Sequence, residues 1–320
     1  MLSLPLRIGT RGSPMALSQT GVVRNRLIAR HPDLAAAGAI EIVTIRTTGD
    51  QVQDRRLAEI GGKGLFTKEI EEALLAGYID IAVHSLKDME TWLPNGLEIA
   101  CVLPRDDPRD ALVFNDTSNS ASSLATLPKG ARIGTASLRR QAQLLLRRPD
   151  LSVGPIRGNV NTRLRKLEEG EFDALVLAVC GLQRLEKLDL ATEILSPEIM
   201  LPAVGQGVLA IEYRAGDDAV RGVLQPIHDP GTALCAGAER AMLAALDGSC
   251  RTPIAGFAEL DSDRLAIDGL VLKPDGSEAV RGRREGDMHD AAALGTELGH
   301  ELRRLAASGL GLGNPANTAG

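Results

Sequence analysis

"RIGTRGSPMALSQ", Arg7 to Gln19, and "RIGTASLRRQAQ", Arg132 to Gln143, are two versions of one pattern. Each reads as a short apolar strand, a Gly-Thr turn, a serine and then a helix. In the first, Ser13 takes the N-cap and Pro14 the N1 position, where a missing N–H costs nothing. In the second, Ser137 is the N-cap and Pro149 stops the helix. A matching buried strand follows each, "GYIDIAVHS" from Gly77 and "GEFDALVLA" from Gly170. The repeat predicts two related α/β lobes made of parallel-sheet units, with ligands at the C-terminal strand ends.

Two segments read as joints between the lobes. "LPRDDPRDALV", Leu103 to Val113, holds two prolines and five charges. "SPEIMLPAVGQGVLAIE", Ser196 to Glu212, reads as the return. Two crossings mean that chain from beyond the second lobe completes the first. Such hinged lobes make the cleft between them the default binding site. The predicted divisions are residues 1–104 with 204–225, residues 105–203, a third domain over 226–308, and a disordered tail over 309–320. In the third domain "TALCAGAERAMLAALDG" is a helix pattern and "DAAALGTELGHELRRLAASG" a closing helix. Between them, turn signals at Asp261-Ser262-Asp263 and Pro274-Asp275-Gly276 separate alternating runs that read as antiparallel strands.

Composition narrows the function. With 44% hydrophobic and 24% charged residues the chain is of ordinary soluble globular type. The start, MLSLPLRIG, lacks signal-peptide features, and no apolar run approaches the roughly 20 residues of a membrane span. A cytoplasmic protein without membrane contact is expected. The four cysteines contain no CxxC pair and the five histidines are scattered, so neither a disulfide framework nor a metal site is indicated. The net charge of −6 speaks against a nucleic-acid partner.

That charge is unevenly spread. From Arg139 to Lys166 there are eight Arg or Lys and a single acid, Asp150. A solvated basic helix face would account for this. Position favours an anion site instead. Arg139 and Arg140 fall in the first turn after Ser137, where the helix dipole disfavours cations. In "IRGNVNTRLRKLEEG" Thr162 is the candidate cap, and Arg163 follows at once. An anion at either helix start would use backbone N–H and guanidinium groups together.

Three further stretches carry candidate chemistry. "DIAVHSLKDMETWLP" sets Ser85, Lys87 and Asp88 just past a strand. This reads either as a surface turn with an adjacent ion pair or as a carboxylate placed to handle protons and developing positive charge. "GGKGLFTKEIEEALL" surrounds Lys63 with Gly61, Gly62 and Gly64, as a turn or as a lid bearing a cation. "ALDGSCRTPIAG" puts Cys250 in a polar loop beside Arg251. A half-buried structural thiol is one reading. A nucleophile or attachment point, its thiol made acidic by the neighbouring cation, is the other.

Taken in order, the blocks RIGTRGSPMALSQ, GGKGLFTKEIE, DIAVHSLKD, DDPRDALV, GTASLRRQAQL, IRGNVNTRLRKL, FDALVLAVCGLQRL, LPAVGQGVLAIE and ERAMLAALDGSCRTPIAG closely resemble the porphobilinogen deaminase (hydroxymethylbilane synthase) family. The likeness runs from Arg7 to about Leu305. It implies an α/β fold of two hinged, periplasmic-binding-protein-like lobes plus a smaller C-terminal α+β domain with an antiparallel sheet. It also implies a monomeric transferase that adds four porphobilinogen units head to tail, each losing ammonia, and releases hydroxymethylbilane, a product handed to uroporphyrinogen-III synthase. The dipyrromethane cofactor that primes the chain would be attached to Cys250 by a thioether. Lys63, Lys87, Thr135, Ser137, Arg139 and Arg140 would hold the cofactor carboxylates. Arg11, Ser13, Gln19, Arg157 and Arg163 would bind substrate and the growing chain. Asp88 would be the catalytic carboxylate, facing the pyrrole N–H groups, with no metal needed.

The sequence departs from the family pattern in three places. Met89-Glu90 stands where Val-Pro is usual, which frees the turn beside Asp88 and adds a negative charge near it. Ala136 replaces a serine, and Cys180 an alanine. Two rival functions are a non-catalytic solute-binding protein and an enzyme with a free nucleophilic thiol. The first would not need Cys250, Asp88 and a third domain together; the second would leave the thiol titratable.

Overall fold

The computed structural model describes residues 4–51, 64–115, 122–246 and 253–310. Its chain falls into two compact units. One takes Met1–Pro108, Cys180–Lys187 and Gln206–Ala233; the other takes Arg109–Val179, Leu188–Gly205 and Leu234–Gly320. The first unit holds a five-stranded sheet of β1 (Leu6–Arg11), β2 (Ile40–Ile45), β3 (Ile81–Ser85), β4 (Leu97–Val102) and β10 (Leu209–Arg214), in the order β2-β1-β3-β10-β4. The second holds β5 (Asp110–Phe114), β6 (Arg132–Gly134), β7 (Ser152–Gly154), β8 (Ala174–Ala178) and β9 (Glu193–Leu195), in the order β7-β6-β8-β5-β9.

The two orders correspond strand for strand. In each sheet three strands are parallel, and then an antiparallel strand and a fifth complete it. The sheets are therefore mixed, not built of parallel units alone. The reason is the direction of entry: Leu209 starts opposite Ser85, the last residue of β3, and Asp110 starts opposite Ala178, the last of β8. Both joints deliver the chain to the C-terminal edge of a sheet, so the next strand must run back.

The sequence repeat has a physical counterpart. Asp80 accepts from the backbone N–H of Arg7 at 2.8 Å and pairs with its guanidinium at 2.7 Å. Asp173 does the same for Arg132, at 2.7 and 3.0 Å. One residue before each aspartate an apolar side chain lies over the glycine of the RIGT motif. A Cβ on Gly9 would collide with Ile79, and one on Gly134 would come within 2.6 Å of Leu175 and 3.1 Å of Phe172. Close approach of side chain to backbone is what these glycines permit.

Around the first sheet lie α1 (Pro14–Arg30), α2 (Thr48–Gln51), α3 (Lys68–Leu75), α6 (Val179–Arg184) and α7 (Asp218–Leu224). Leu6, Ile8, Ile81, Val83 and Ile211 pack with Val23 and Leu27 of α1 and Leu224 of α7. Ala82, on the opposite face by strand alternation, packs with Ile70 and Leu74 of α3. In the second unit α4 (Leu138–Arg147) and α5 (Val160–Glu168) follow β6 and β7. The caps predicted for α1 and α4 are formed: Ser13 Oγ accepts from the Ala16 N–H and Ser137 Oγ from the Arg140 N–H. The cap of α5 is Asn159 and not Thr162. Its Oδ1 accepts from both the N–H and the hydroxyl of Thr162, at 3.0 and 3.2 Å, so the threonine is the capped residue.

The rest of the second unit is an α+β module. Helix α8 (Pro230–Ala245) precedes an antiparallel sheet of β11 (Ile254–Asp261), β12 (Arg264–Leu272) and β13 (Ala279–Asp287), and α9 (Ala291–Gly309) closes it. Met242, Leu298 and Leu302 pack on Ile254, Ile267 and Val271. Ala142 of α4 joins Phe257, Leu270 and Leu272 in a second apolar cluster.

Candidate active site

In the first unit, β3 ends at Ser85 and runs straight into a 3-10 turn, Leu86–Asp88. The Leu86 N–H donates to the Val208 carbonyl at 3.0 Å, fixing the turn to the entry of β10. Asp88 is exposed and makes no hydrogen bond or ion pair among the described residues. Lys87 Nζ donates to Gln206 Oε1 at 3.4 Å, and Gln206 Nε2 donates to the Pro108 carbonyl at 2.6 Å. The return segment therefore holds the turn that carries the candidate carboxylate, and the first joint is tied to it through Gln206.

The α1 side of the same edge holds three other candidates. Ser13 caps the helix. Gln19 is buried and donates through Nε2 to Ser85 Oγ at 2.8 Å, tying α1 to the end of β3. Arg11 pairs with Asp50 and lies over the Phe66 ring, 4.1 Å from its centroid. Burial would raise the Asp50 carboxyl, but Arg11 and Thr47 outweigh it and hold it below the usual range. Arg184, at the end of α6, was not foreseen: it pairs with Asp106 at 2.7 Å and donates to the Gly207 carbonyl at 3.1 Å. Its block, FDALVLAVCGLQRL, spans β8 just as DIAVHSLKD spans β3, and that parallel is its only signal.

Glu90, the departure beside Asp88, has a partner. Its Oε1 accepts the Gly64 N–H at 2.8 Å, so the turn after β3 grips the segment that leads into α3. Met89 is buried. Lys63 and Cys250 lie outside the described residues.

In the second unit the candidates gather at the head of α4. Arg139 and Arg140 are both buried, and both pair with Asp110 at 2.7 Å. Asp110 is fully buried at the first position of β5. Arg139 also donates to the Leu201 carbonyl at 2.5 Å, and Arg140 to the Val176 carbonyl at 3.0 Å. The cations at this helix start are thus offset first from within the protein. Burial alone would raise the Asp110 carboxyl; Arg139 and then Arg140 override it and hold it far below the carboxylate range. Two guanidinium groups against one carboxylate still leave an excess positive charge, and Arg139 Nε is buried without a partner among the described residues. Thr135 Oγ1 accepts from the Ser137 N–H at 3.2 Å, leaving its own hydroxyl proton available. At the head of α5, Arg163 donates to the Gly158 carbonyl at 2.9 Å, with Arg157 half-buried just before it.

Removing Asp110 strands two buried guanidinium groups. Asp110→Ala should cost about 3–5 kcal/mol, the usual penalty for breaking a buried pair from one side. Urea unfolding of the full chain measures it. The native pair also makes stability acid-sensitive: its contribution is complete above the unfolded carboxyl value of about 4 and is lost as pH falls toward the depressed folded value. The variant should lack that part of the acid dependence.

Taken together, these features define a two-lobed α/β protein whose acid and cationic side chains are set at the C-terminal edges of two repeated mixed sheets, with an α+β module appended. A family model described as "Porphobilinogen deaminase, dipyromethane cofactor binding domain" matches residues 6–222, and one described as "Porphobilinogen deaminase, C-terminal domain" matches residues 233–304. The chain belongs to the porphobilinogen deaminase family. It is 55% identical over 299 residues to the porphobilinogen deaminase of Paracoccus denitrificans, covering 93% of this chain and 94% of that one. The corresponding protein of Nitrobacter winogradskyi is 54% identical, covering 93% of each. The chloroplastic one of Oryza sativa subsp. japonica is 50% identical over 307 residues, 95% of this chain and 85% of that one.

Proposed function

We infer that the protein is a transferase of tetrapyrrole biosynthesis. It condenses four porphobilinogen molecules head to tail, releasing one ammonia at each step, and water then frees hydroxymethylbilane. Near-full-length identity above half to porphobilinogen deaminases supports this reading. The finer reading attaches a dipyrromethane primer to Cys250 through a thioether. It also makes the enzyme a cytoplasmic monomer whose product passes to uroporphyrinogen-III synthase. No helix among the described residues is long and apolar enough to cross a membrane.

The head of α4 suits such a primer. Its acetate and propionate groups need cationic and hydroxyl donors, and the cluster offers an excess positive charge and an unsatisfied buried Nε. Thr135, Ser137, Arg139 and Arg140, with Lys87 and Lys63, would hold it. When bound, the dipyrromethane supplies the electron-rich pyrrole end to which the first substrate unit is joined. Arg11, Ser13, Gln19, Arg157 and Arg163 would take the carboxylates of incoming substrate. Asp88 would sit opposite the pyrrole N–H of porphobilinogen. As the aminomethyl C–N bond breaks, positive charge spreads over that ring, and a carboxylate facing the N–H lowers the barrier. The same group can pass a proton to the departing amine.

The test uses intact protein made in porphobilinogen-producing cells. After denaturation its mass should exceed that of the bare chain by two linked pyrrole units, and an aldehyde reagent for pyrroles should develop colour. Bare mass without colour, in enzyme that still turns over substrate, would overturn the tethered-primer reading.

A further inference from the structure

The turn bearing Asp88 is held from both faces of the sheet, and one of those holds is ionisable. We propose that His84, Glu212 and Glu71 form a buried acid–imidazole–acid cluster whose role is to position Asp88. The proposal rests on the reading of Asp88 as the catalytic carboxylate.

Among the described residues Asp88 has no partner of its own, so there the backbone that carries it sets its place. Ser85 is fixed on the α1 face by Gln19. His84 points the other way and meets Glu212 of β10, its Nε2 3.2 Å from Glu212 Oε2. Ala210 is the register partner of His84, so the pair runs diagonally across the two strands just below the turn. Both side chains are almost wholly buried. Glu212 Oε1 has no partner among the described residues. An unsatisfied buried carboxylate oxygen is costly. Glu212 stands opposite Ala82, which itself packs with Ile70 and Leu74; an apolar residue would serve the sheet better there, which argues that Glu212 does more than hold the fold.

Glu71 of α3 supplies the second acid. The groups facing it are Glu212 from β10, His84 from β3, Glu90 from the turn after β3, and Thr67 at the cap of α3. Burial first, and then the charge of Glu212, push its carboxyl above the usual range against the pull of Thr67 and His84. A raised carboxyl value means that the folded cluster favours the protonated acid. As pH rises through the shifted value, Glu71 becomes negatively charged inside the buried cluster. That change falls on the α3 side of β3, while Glu90 links the same turn to Gly64 just before α3. A displacement of about 1 Å at a reacting group can cost on the order of a hundredfold in rate.

The experiment measures ammonia release from porphobilinogen by Glu212→Gln, Glu71→Gln and Asp88→Asn, each normalised to primer load by intact mass. Glu212→Gln should lower kcat about tenfold or more, with KM changed less than about twofold. Glu71→Gln fixes the neutral form, so the limb of the kcat–pH profile contributed by Glu71 should disappear. Should Glu212→Gln fail to fold, the Glu71→Gln profile decides. Wild-type kcat and superimposable pH profiles in the variants that fold, whatever their melting temperatures, would overturn the proposal while a crippled Asp88→Asn left the Asp88 reading intact. An active Asp88→Asn would remove both.

Discussion

Cys250→Ser should yield a protein of bare-chain mass with no measurable ammonia release from porphobilinogen. The thiolate is the nucleophile that a thioether requires, and a serine hydroxyl is a far weaker one. No other cysteine can stand in. Cys101, Cys180 and Cys235 are buried, and burial pushes the Cys101 thiol up to about 12. The variant should also melt at a lower temperature than the wild type, because a group that engages only the folded chain no longer stabilises it. The surplus positive charge at the head of α4 then has no anion to meet. Wild-type activity in the serine variant would remove the covalent tether from the mechanism.

Asp88→Asn should lower the rate of ammonia release by about 10²–10⁴-fold, the span that a positioned acid–base group contributes. Stability should hardly move. The side chain is exposed and unpartnered among the described residues, and substitutions at such surface positions usually stay within about 0.5 kcal/mol. That contrast makes the measurement clean: unfolding curves that overlay the wild type, alongside slow turnover with primer still attached, isolate the chemical role. Asparagine keeps the shape and a carbonyl acceptor but cannot carry charge or donate a proton from a carboxyl. Near-normal turnover would contradict the assignment.

Much of this was legible from short-range patterns. Ser13 and Ser137 announce helix starts because a cap acts on N–H groups only a few residues away. The hairpin turns at Ser262 and Gly276 are legible for the same reason; both adopt positive φ, 57° and 71°. Asn159 escaped because Asn159 and Thr162 are both capping types at cap spacing, and only geometry shows which one accepts. Asp110 escaped because its partners lie 29 and 30 residues away. It sat in a stretch whose prolines and charges read as linker. His84 and Glu212, 128 residues apart, share no local signal at all. Their meeting depends on β10 entering the first sheet antiparallel, which neither strand pattern contains.

The shared strand order bears on how the chain is made. On the ribosome, β1 to β4 emerge first, yet the strand that joins β3 to β4 is β10, which ends at Arg214. Until then β3 presents an open edge and β4 has no neighbour within the sheet. The second sheet needs nothing beyond β9 and Leu195. The half synthesised first is therefore the later one to close, and a nascent chain whose emerged part ends between residues 195 and 209 would carry one complete sheet and one awaiting the strand between β3 and β4.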